Sequence, residues 1–330
     1  MATPTDAEDE TVNQATTLSE GAEGTLEKPV VPAESEFIQL PPGTVLTEAQ
    51  AQALASDRPV RLIVVAGAVD CGKTTLLTSL YELFQTGPVK AVQFAGCDTF
   101  PAFEQRCHLS RADSENETED TARTIYDGPA PEYLHLKIQN GEGEADHIDF
   151  LFTDVSGEMF EHARNSTDEC KRLTFLRRAS HFAVFLDCEK VLHPEKKWVM
   201  VQDAKSLLQS CLDSSMLDET CFVTMVWAKC DFFEAAENME AIAAFVKEVE
   251  GDFKASFGDR IPELKFHRTA ARPSRFPNLR MGFGVRELLN DWVTIWSHGR
   301  AMELDPPAAN GGQRESELFA KRHKAKDSNA

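Results

Sequence analysis

Apolar and polar positions alternate along this chain in two different rhythms, and the changes between them divide it into elements. The run Arg61-Leu-Ile-Val-Val-Ala66 is continuously apolar after its first residue, as in a strand buried on both faces. Thr75 to Phe84 then repeats its apolar positions at helical spacing. Tyr133-Leu-His-Leu-Lys-Ile138 alternates strictly, predicting a strand with one solvated face. Asp149-Phe-Leu-Phe-Thr153 follows it across a turn signal at Asn140-Gly141, which predicts a hairpin. Further strands are expected at Val89–Phe94, Phe182–Leu186, Cys221–Trp227 and Glu263–His267. Helices are expected at Phe100–Arg111, Trp198–Leu212, Asn238–Phe257 and Val285–Trp296, with a short one opened by the capping box Thr47-Glu-Ala-Gln50. Strands alternating with helices predict a three-layer α/β domain around a mainly parallel, doubly wound sheet, into which the hairpin inserts one antiparallel strand.

Composition marks the ends of that domain. Residues 1–42 carry Asp6, Glu8, Asp9, Glu10, Glu20, Glu23, Glu27, Glu34 and Glu36 against the single base Lys28, with few large apolar residues. Such a segment cannot offset the entropy of ordering, so it reads as a disordered acidic tail. Residues 43–58 lead into the domain, which is expected to span 59–300, and 301–330 read as a flexible tail with a basic end at Lys321–Lys326. The formal net charge of −20 argues against a general nucleic-acid or anionic-membrane binder, because either needs a basic footprint. No window is long and apolar enough to cross a bilayer, and the acidic start lacks the pattern of a signal peptide. The eight cysteines form no C-x-x-C pair, which reads as reduced thiols of a cytoplasmic protein. Cys97, Cys107 and His108 lack a fourth ligand at zinc-like spacing, and no zinc site is expected there.

The chemistry begins where the first strand meets its helix. Gly67-Ala-Val-Asp-Cys-Gly72-Lys73-Thr74 fits G-x-x-x-x-G-K-[ST] without a mismatch, in the strand–loop–helix context that makes the motif a phosphate site. Gly67, Asp70, Cys71, Gly72, Lys73, Thr74 and Thr75 are therefore the candidate phosphate-binding residues. Backbone N–H groups and the positive helix end would hold the anion, Lys73 would reach the β- and γ-phosphates, and the Thr74 hydroxyl would ligate Mg²⁺. Asp154-Val-Ser-Gly157 closes the second strand of the hairpin: Asp154 is the candidate second Mg²⁺ residue and Gly157 the candidate γ-phosphate amide. Ala228-Lys229-Cys230-Asp231 ends another strand. A carboxylate at Asp231 could accept the N1 and N2 hydrogens of guanine, a pair adenine lacks, while Lys229 lays its methylene stem along the base. A strand-end turn with solvated charges is the plainer reading. Thr269-Ala270-Ala271 could offer the Ala270 amide to guanine O6.

In this order the motifs resemble the Ras-like branch of the translation-factor-related P-loop GTPases over roughly Arg61 to Trp296. More narrowly, Val64-Val-Ala-Gly-Ala-Val-Asp-Cys-Gly-Lys-Thr-Thr75, Phe94-Ala-Gly-Cys-Asp-Thr-Phe-Pro-Ala-Phe-Glu-Gln-Arg-Cys-His108 and Leu176-Arg-Arg-Ala-Ser-His-Phe182 are similar to the bacterial double-GTPase family. That resemblance implies GTP or GDP with Mg²⁺, and a switch coupled to an effector or a second GTPase protein in a conflict or defence system. Three positions depart from the Ras-like pattern. Ala228 stands where an asparagine usually braces the base and the phosphate loop. Glu158 stands where a glutamine often orients the attacking water; a carboxylate near the γ-phosphate is repelled unless it acts as a base or points away, so Glu158 is a catalytic candidate in a site expected to hydrolyse slowly by itself. The long span after Lys73 leaves the switch threonine unfixed by spacing; Thr124 is the candidate, completing the Mg²⁺ shell, and Arg123 a candidate arginine finger, with ordinary loop residues as the plainer reading of both. Met159 and Phe160 are either partner contacts or part of the interior. Two other readings stay open: an ATPase or small-molecule kinase on the same loop, and a binder that holds GTP without hydrolysing it. Nucleotide-dependent dimerisation is also left open.

Overall fold

The computed structural model describes residues 44–108, 131–140, 147–217, 220–261, 263–275 and 278–297. The two tails and the segment bearing Arg123 and Thr124 lie outside the described residues. A short helix α1 (Glu48–Asp57) opens the chain, with the capping box formed as expected between Thr47 and Gln50. The order is then β1 (Val60–Ala66), α2 (Lys73–Gln85), β2 (Gln93–Gly96), α3 (Phe100–His108), β3 (Glu132–Gln139) and β4 (His147–Asp154). After these come α4 (Gly157–Asn165), α5 (Thr167–Arg172), a 3-10 turn at Thr174–Arg178, β5 (Ala179–Asp187), α6 (Cys188–Val191) and α7 (Pro194–Asp213). The last third holds β6 (Phe222–Ala228), α8 (Asp231–Glu234), α9 (Met239–Phe257), β7 (Lys265–Arg268) and α10 (Val285–Ser297).

The seven strands form one sheet in the order β2-β3-β4-β1-β5-β6-β7. β4, β1, β5, β6 and β7 pair in parallel. β3 runs against both β2 and β4, so it is the one reversed strand that the hairpin signal predicted. β1 lies in the middle, and its side chains alternate between two cores. Leu62, Val64 and Ala66 pack with Phe160, Leu208 and Phe253 on one face of the sheet. Ile63 and Val65 pack with Leu76, Leu80, Phe103 and Trp292 on the other. Helices on both faces explain why the central strands read as unbroken apolar runs, as expected of a doubly wound sheet. No helix among the described residues is long and apolar enough to cross a membrane.

One local expectation is corrected and one open alternative is decided. The strand expected at Val89–Phe94 forms at Gln93–Gly96, because Val89 and Val92 bond each other's backbone across a tight turn with Lys90 at φ 57°. Both valines are buried in the core beside Leu80 and Phe103 without belonging to the strand. Met159 and Phe160 are buried in the domain's own core, which leaves neither as a partner contact.

Candidate nucleotide site

Parallel strands of an open α/β sheet deliver their following loops to one edge, outside the carboxyl ends of the strands. Here that edge receives the loop after β1, Asp154 at the end of β4, Asp187 at the end of β5, and the Lys229–Asp231 turn after β6. The loop after β1 turns back through Asp70 at φ 62° and enters α2 through Gly72 at φ 94°, a left-handed conformation that costs glycine nothing. The α2 N-terminus therefore opens onto the loop. Lys73 is buried, and its ammonium donates to the Gly67 and Ala68 carbonyls at 3.0 and 2.9 Å. Thr74 Oγ1 lies 3.5 Å from Asp154 Oδ1, bringing together the two side chains expected to hold the metal. Thr75 lies in the first turn of α2 and lines the cavity described below.

Gly157 is seated on this loop. A Cβ there would meet the Val69 nitrogen at 2.4 Å and the Ala68 carbonyl carbon at 2.6 Å, so only hydrogen fits. Ser156 caps α4 by accepting from the Glu158 N–H, which sets Glu158 in the first helical turn, partly exposed. Cys71 is buried inside the loop, and burial pushes its thiol up, away from thiolate reactivity.

At the other end of the site a cavity of about 240 Å³ is lined by Gly72, Thr75, Lys229, Asp231, Thr269 and Ala271, among others. Asp231 is 2% exposed, and its Oδ2 accepts the Ser274 and Arg275 amides, both at 3.0 Å. Lys229, at φ 61°, donates to Asp187 Oδ2 and Glu189 Oε2, each at 3.1 Å. Burial alone would lower its pKa, but the two carboxylates outweigh that and hold it above the usual lysine value. The Ala228 side chain comes within 4.0 Å of where a Gly72 Cβ would sit, so a methyl group occupies the space between base turn and phosphate loop.

One expected contact is reassigned. The Ala270 N–H donates to the Phe283 carbonyl at 3.0 Å, inside the fold. Its neighbour Ala271 lines the cavity, held through its carbonyl by Ser79 Oγ and the Gly282 amide. Three residues at this edge were not read from the sequence as site residues. Asp187 carries the same signal as Asp154, an acid at the end of an apolar strand, Glu189 follows it in the first turn of α6, and Arg106 lay in a quoted segment without being singled out.

A glycine loop running into a helix, an acid on the adjacent strand and a basic–acidic turn beside a base-sized cavity define a P-loop nucleotide-binding domain. The Double-GTPase 2 family model matches residues 61–293. The chain belongs to that family and is a P-loop GTPase of the double-GTPase kind. No curated protein matches the sequence. Among solved structures, Methanosarcina barkeri Roco2 RocCORdC bound to GDP is 13% identical with a TM-score of 0.37, over 80% of this chain and 55% of that one. The S. cerevisiae Ski7 GTPase-like domain bound to GTP is 12% identical with a TM-score of 0.36, over 84% of this chain and 52% of that one. The chain thus spans about half the length of each of these two. The signal recognition particle receptor SRb-GTP/SRX complex from Chaetomium thermophilum is 14% identical with a TM-score of 0.33, over 65% of this chain and 91% of that one.

Proposed function

We propose that this chain is a switch that binds GTP with Mg²⁺, hydrolyses it to GDP and phosphate, and reports its nucleotide state to a protein partner. The observation that supports this is the meeting of Lys73, Thr74 and Asp154 at one end of the site with Lys229 and Asp231 at the other. Lys73 and the loop amides neutralise the phosphates at the positive end of α2. Mg²⁺ bound there would supply positive charge for the phosphate oxygens. Thr74 and Asp154 offer the hard oxygen donors that this ion prefers. Among the described residues no three His, Cys, Asp or Glu side chains cluster as a metal site, which suits an ion that takes most of its shell from phosphate and water. Asp231 accepts the guanine N1 and N2 hydrogens, Lys229 covers the base with its stem, and the Ala271 amide replaces that of Ala270 at O6.

Hydrolysis would be an in-line attack of water on the γ-phosphate, with Glu158 taking the proton from the water. Thr124 would complete the metal shell and Arg123 would neutralise developing charge. The output is conformational: loss of the γ-phosphate releases the Asp154–Gly157 turn and alters the face offered to an effector or a second GTPase protein. A bacterial conflict or defence system is the setting that the family resemblance implies. A binder that does not hydrolyse GTP is the second reading, favoured by an arginine, Arg106, already paired to Asp154.

Competition for fluorescent GTP by GTP, GDP and ATP, with Lys73→Ala as control, tests the nucleotide. Displacement by GTP and GDP but not ATP is expected; equal displacement by ATP overturns the guanine assignment. Single-turnover phosphate release tests hydrolysis, and unchanged turnover and GTP affinity in Arg123→Ala would remove the finger.

A further inference from the structure

Helix α3 delivers a guanidinium to the metal end of the site. Arg106 Nε donates to Asp154 Oδ2 at 2.6 Å, and a second nitrogen of the same group lies 2.5 Å from that oxygen. Its third nitrogen donates to the Ala102 carbonyl one turn back at 3.1 Å, which fixes the plane of the group on its own helix. The two side chains are 14% and 3% exposed, so water screens the pair little, unlike a surface ion pair.

The helix that carries this arginine is itself held firmly. The Asp98 N–H donates to His135 Nδ1 at 3.0 Å, which leaves the ring proton on Nε2, 2.9 Å from Asp149 Oδ1. Thr99 Oγ1 accepts the His135 amide at 2.9 Å. Phe103 stacks on Tyr81 at 4.8 Å, and Tyr81 donates to Glu104 at 2.6 Å. Arg106 is thus placed by a rigid mount, not by a mobile surface side chain.

Asp154 faces Arg106 with one oxygen and Thr74 with the other. A carboxylate that already carries a bidentate-capable cation is a weaker partner for a second one, since the two positive charges repel in a poorly screened site. We propose that Arg106 is a positioning residue that competes with Mg²⁺ for Asp154 and so sets the Mg²⁺ concentration at which the nucleotide complex forms. This rests on the GTP–Mg²⁺ reading above. It reconciles the metal assignment of Asp154 with the arginine found on it.

The test is the affinity for fluorescent GTP as a function of free Mg²⁺, in the full chain and in Arg106→Ala, Arg106→Lys and Asp154→Asn. Arg106→Ala is expected to lower the Mg²⁺ midpoint about tenfold, within the usual range for coupled binding, and Arg106→Lys to shift it less. In Asp154→Asn the further change Arg106→Ala should not move the midpoint. A merely structural role would lower the melting temperature without moving the Mg²⁺ midpoint. A midpoint within about twofold of the parent in Arg106→Ala, with GTP binding intact, overturns the proposal and leaves the proposed function standing. Absence of GTP binding in the parent protein overturns the proposed function instead. In that event thermal melting in Mg²⁺ alone decides the role of Arg106: stabilisation gained by Arg106→Ala supports competition, and none refutes it. If Arg106→Ala does not fold, Arg106→Gln, which keeps a donor for the Ala102 carbonyl, replaces it in each measurement.

Discussion

Replacing Asp231 by asparagine separates base recognition from folding. The two loop amides of Ser274 and Arg275 both bond Oδ2, and an asparagine can keep one oxygen there. What it cannot keep is an acceptor toward the cavity, where an NH₂ group would face the N1 and N2 donors of guanine. Two hydrogen bonds to a charged acceptor are lost, each contributing roughly 1.5 kcal/mol at the low end of the usual range. The sum, about 3 kcal/mol, corresponds to GTP binding roughly 150-fold weaker. ATP, which has no such donor pair, should bind as before. The two amide bonds become neutral, so the fold should lose about 1 kcal/mol, or some 2–4 °C in melting temperature. Displacement of fluorescent nucleotide measures the first effect and a thermal melt the second. A GTP affinity reduced less than about fivefold in a well-folded Asp231→Asn protein would refute the assignment of Asp231 to the base.

Gly157→Ala must drive α4 and the phosphate loop apart, since its Cβ meets backbone on both Val69 and Ala68. A cost of about 1–3 kcal/mol in stability is expected, with weakened GTP binding, and chemical denaturation with unchanged stability would show the contact to be absent. His181 is buried between strands, with neither ring nitrogen hydrogen-bonded among the described residues. Burial and the nearby Arg61 charge hold its pKa down to about 3, while Asp291 opposes them. A depressed pKa in the folded state gives stability that is present above the ordinary histidine value and declines as pH falls below it; the loss from this residue at pH 5 is roughly 2 kcal/mol. His181→Phe should flatten that slope in urea titrations at pH 7.5 and 5, and an unaltered slope would exclude His181 as its source. Of the eight cysteines, Cys97 alone is partly exposed, so a thiol reagent should modify at most one rapidly in the native protein and all eight after denaturation. Rapid loss of GTP binding through Cys71 would contradict its buried place.

Much of this architecture was legible because central strands and phosphate loop announce themselves locally. β1, with apolar side chains from Leu62 to Ala66, and Gly67 to Thr74 each owe their pattern to neighbours within the same segment. The hairpin signal located the reversed strand, as the register of Glu132 against Asp154 shows, but the solvated face that the alternation of Tyr133–Ile138 predicted does not form, because Tyr133 and His135 are buried. Several short helices, α4, α5, α6 and α8, were not read. α4 begins at a glycine and buries Met159, Phe160 and Ala163, a spacing that is helical but spans barely two turns. β2 was displaced because a turn can bury valines as well as a strand can. At the site, residues contiguous in sequence were found, and those joined only by folding were missed. Arg106 and Asp154 are 48 positions apart, and Lys229 is 42 from Asp187 and 40 from Glu189. No local periodicity encodes such pairs. The Ala270 amide shows the converse: a motif located the segment but could not foresee that Phe283 would claim its donor.

The pairing around Asp154 also ties two separate elements to one point of the site. Arg106, in the last turn of α3, bonds Asp154, and Glu132, the first residue of β3, stands opposite Asp154 in the sheet and 3.7 Å from Arg106. The chain between these two elements therefore leaves from and returns to a single carboxylate. Both ends are held by the folded domain. A change at Asp154 is therefore a change for the last turn of α3 and for the first residue of β3 at once, two elements that the sequence keeps apart.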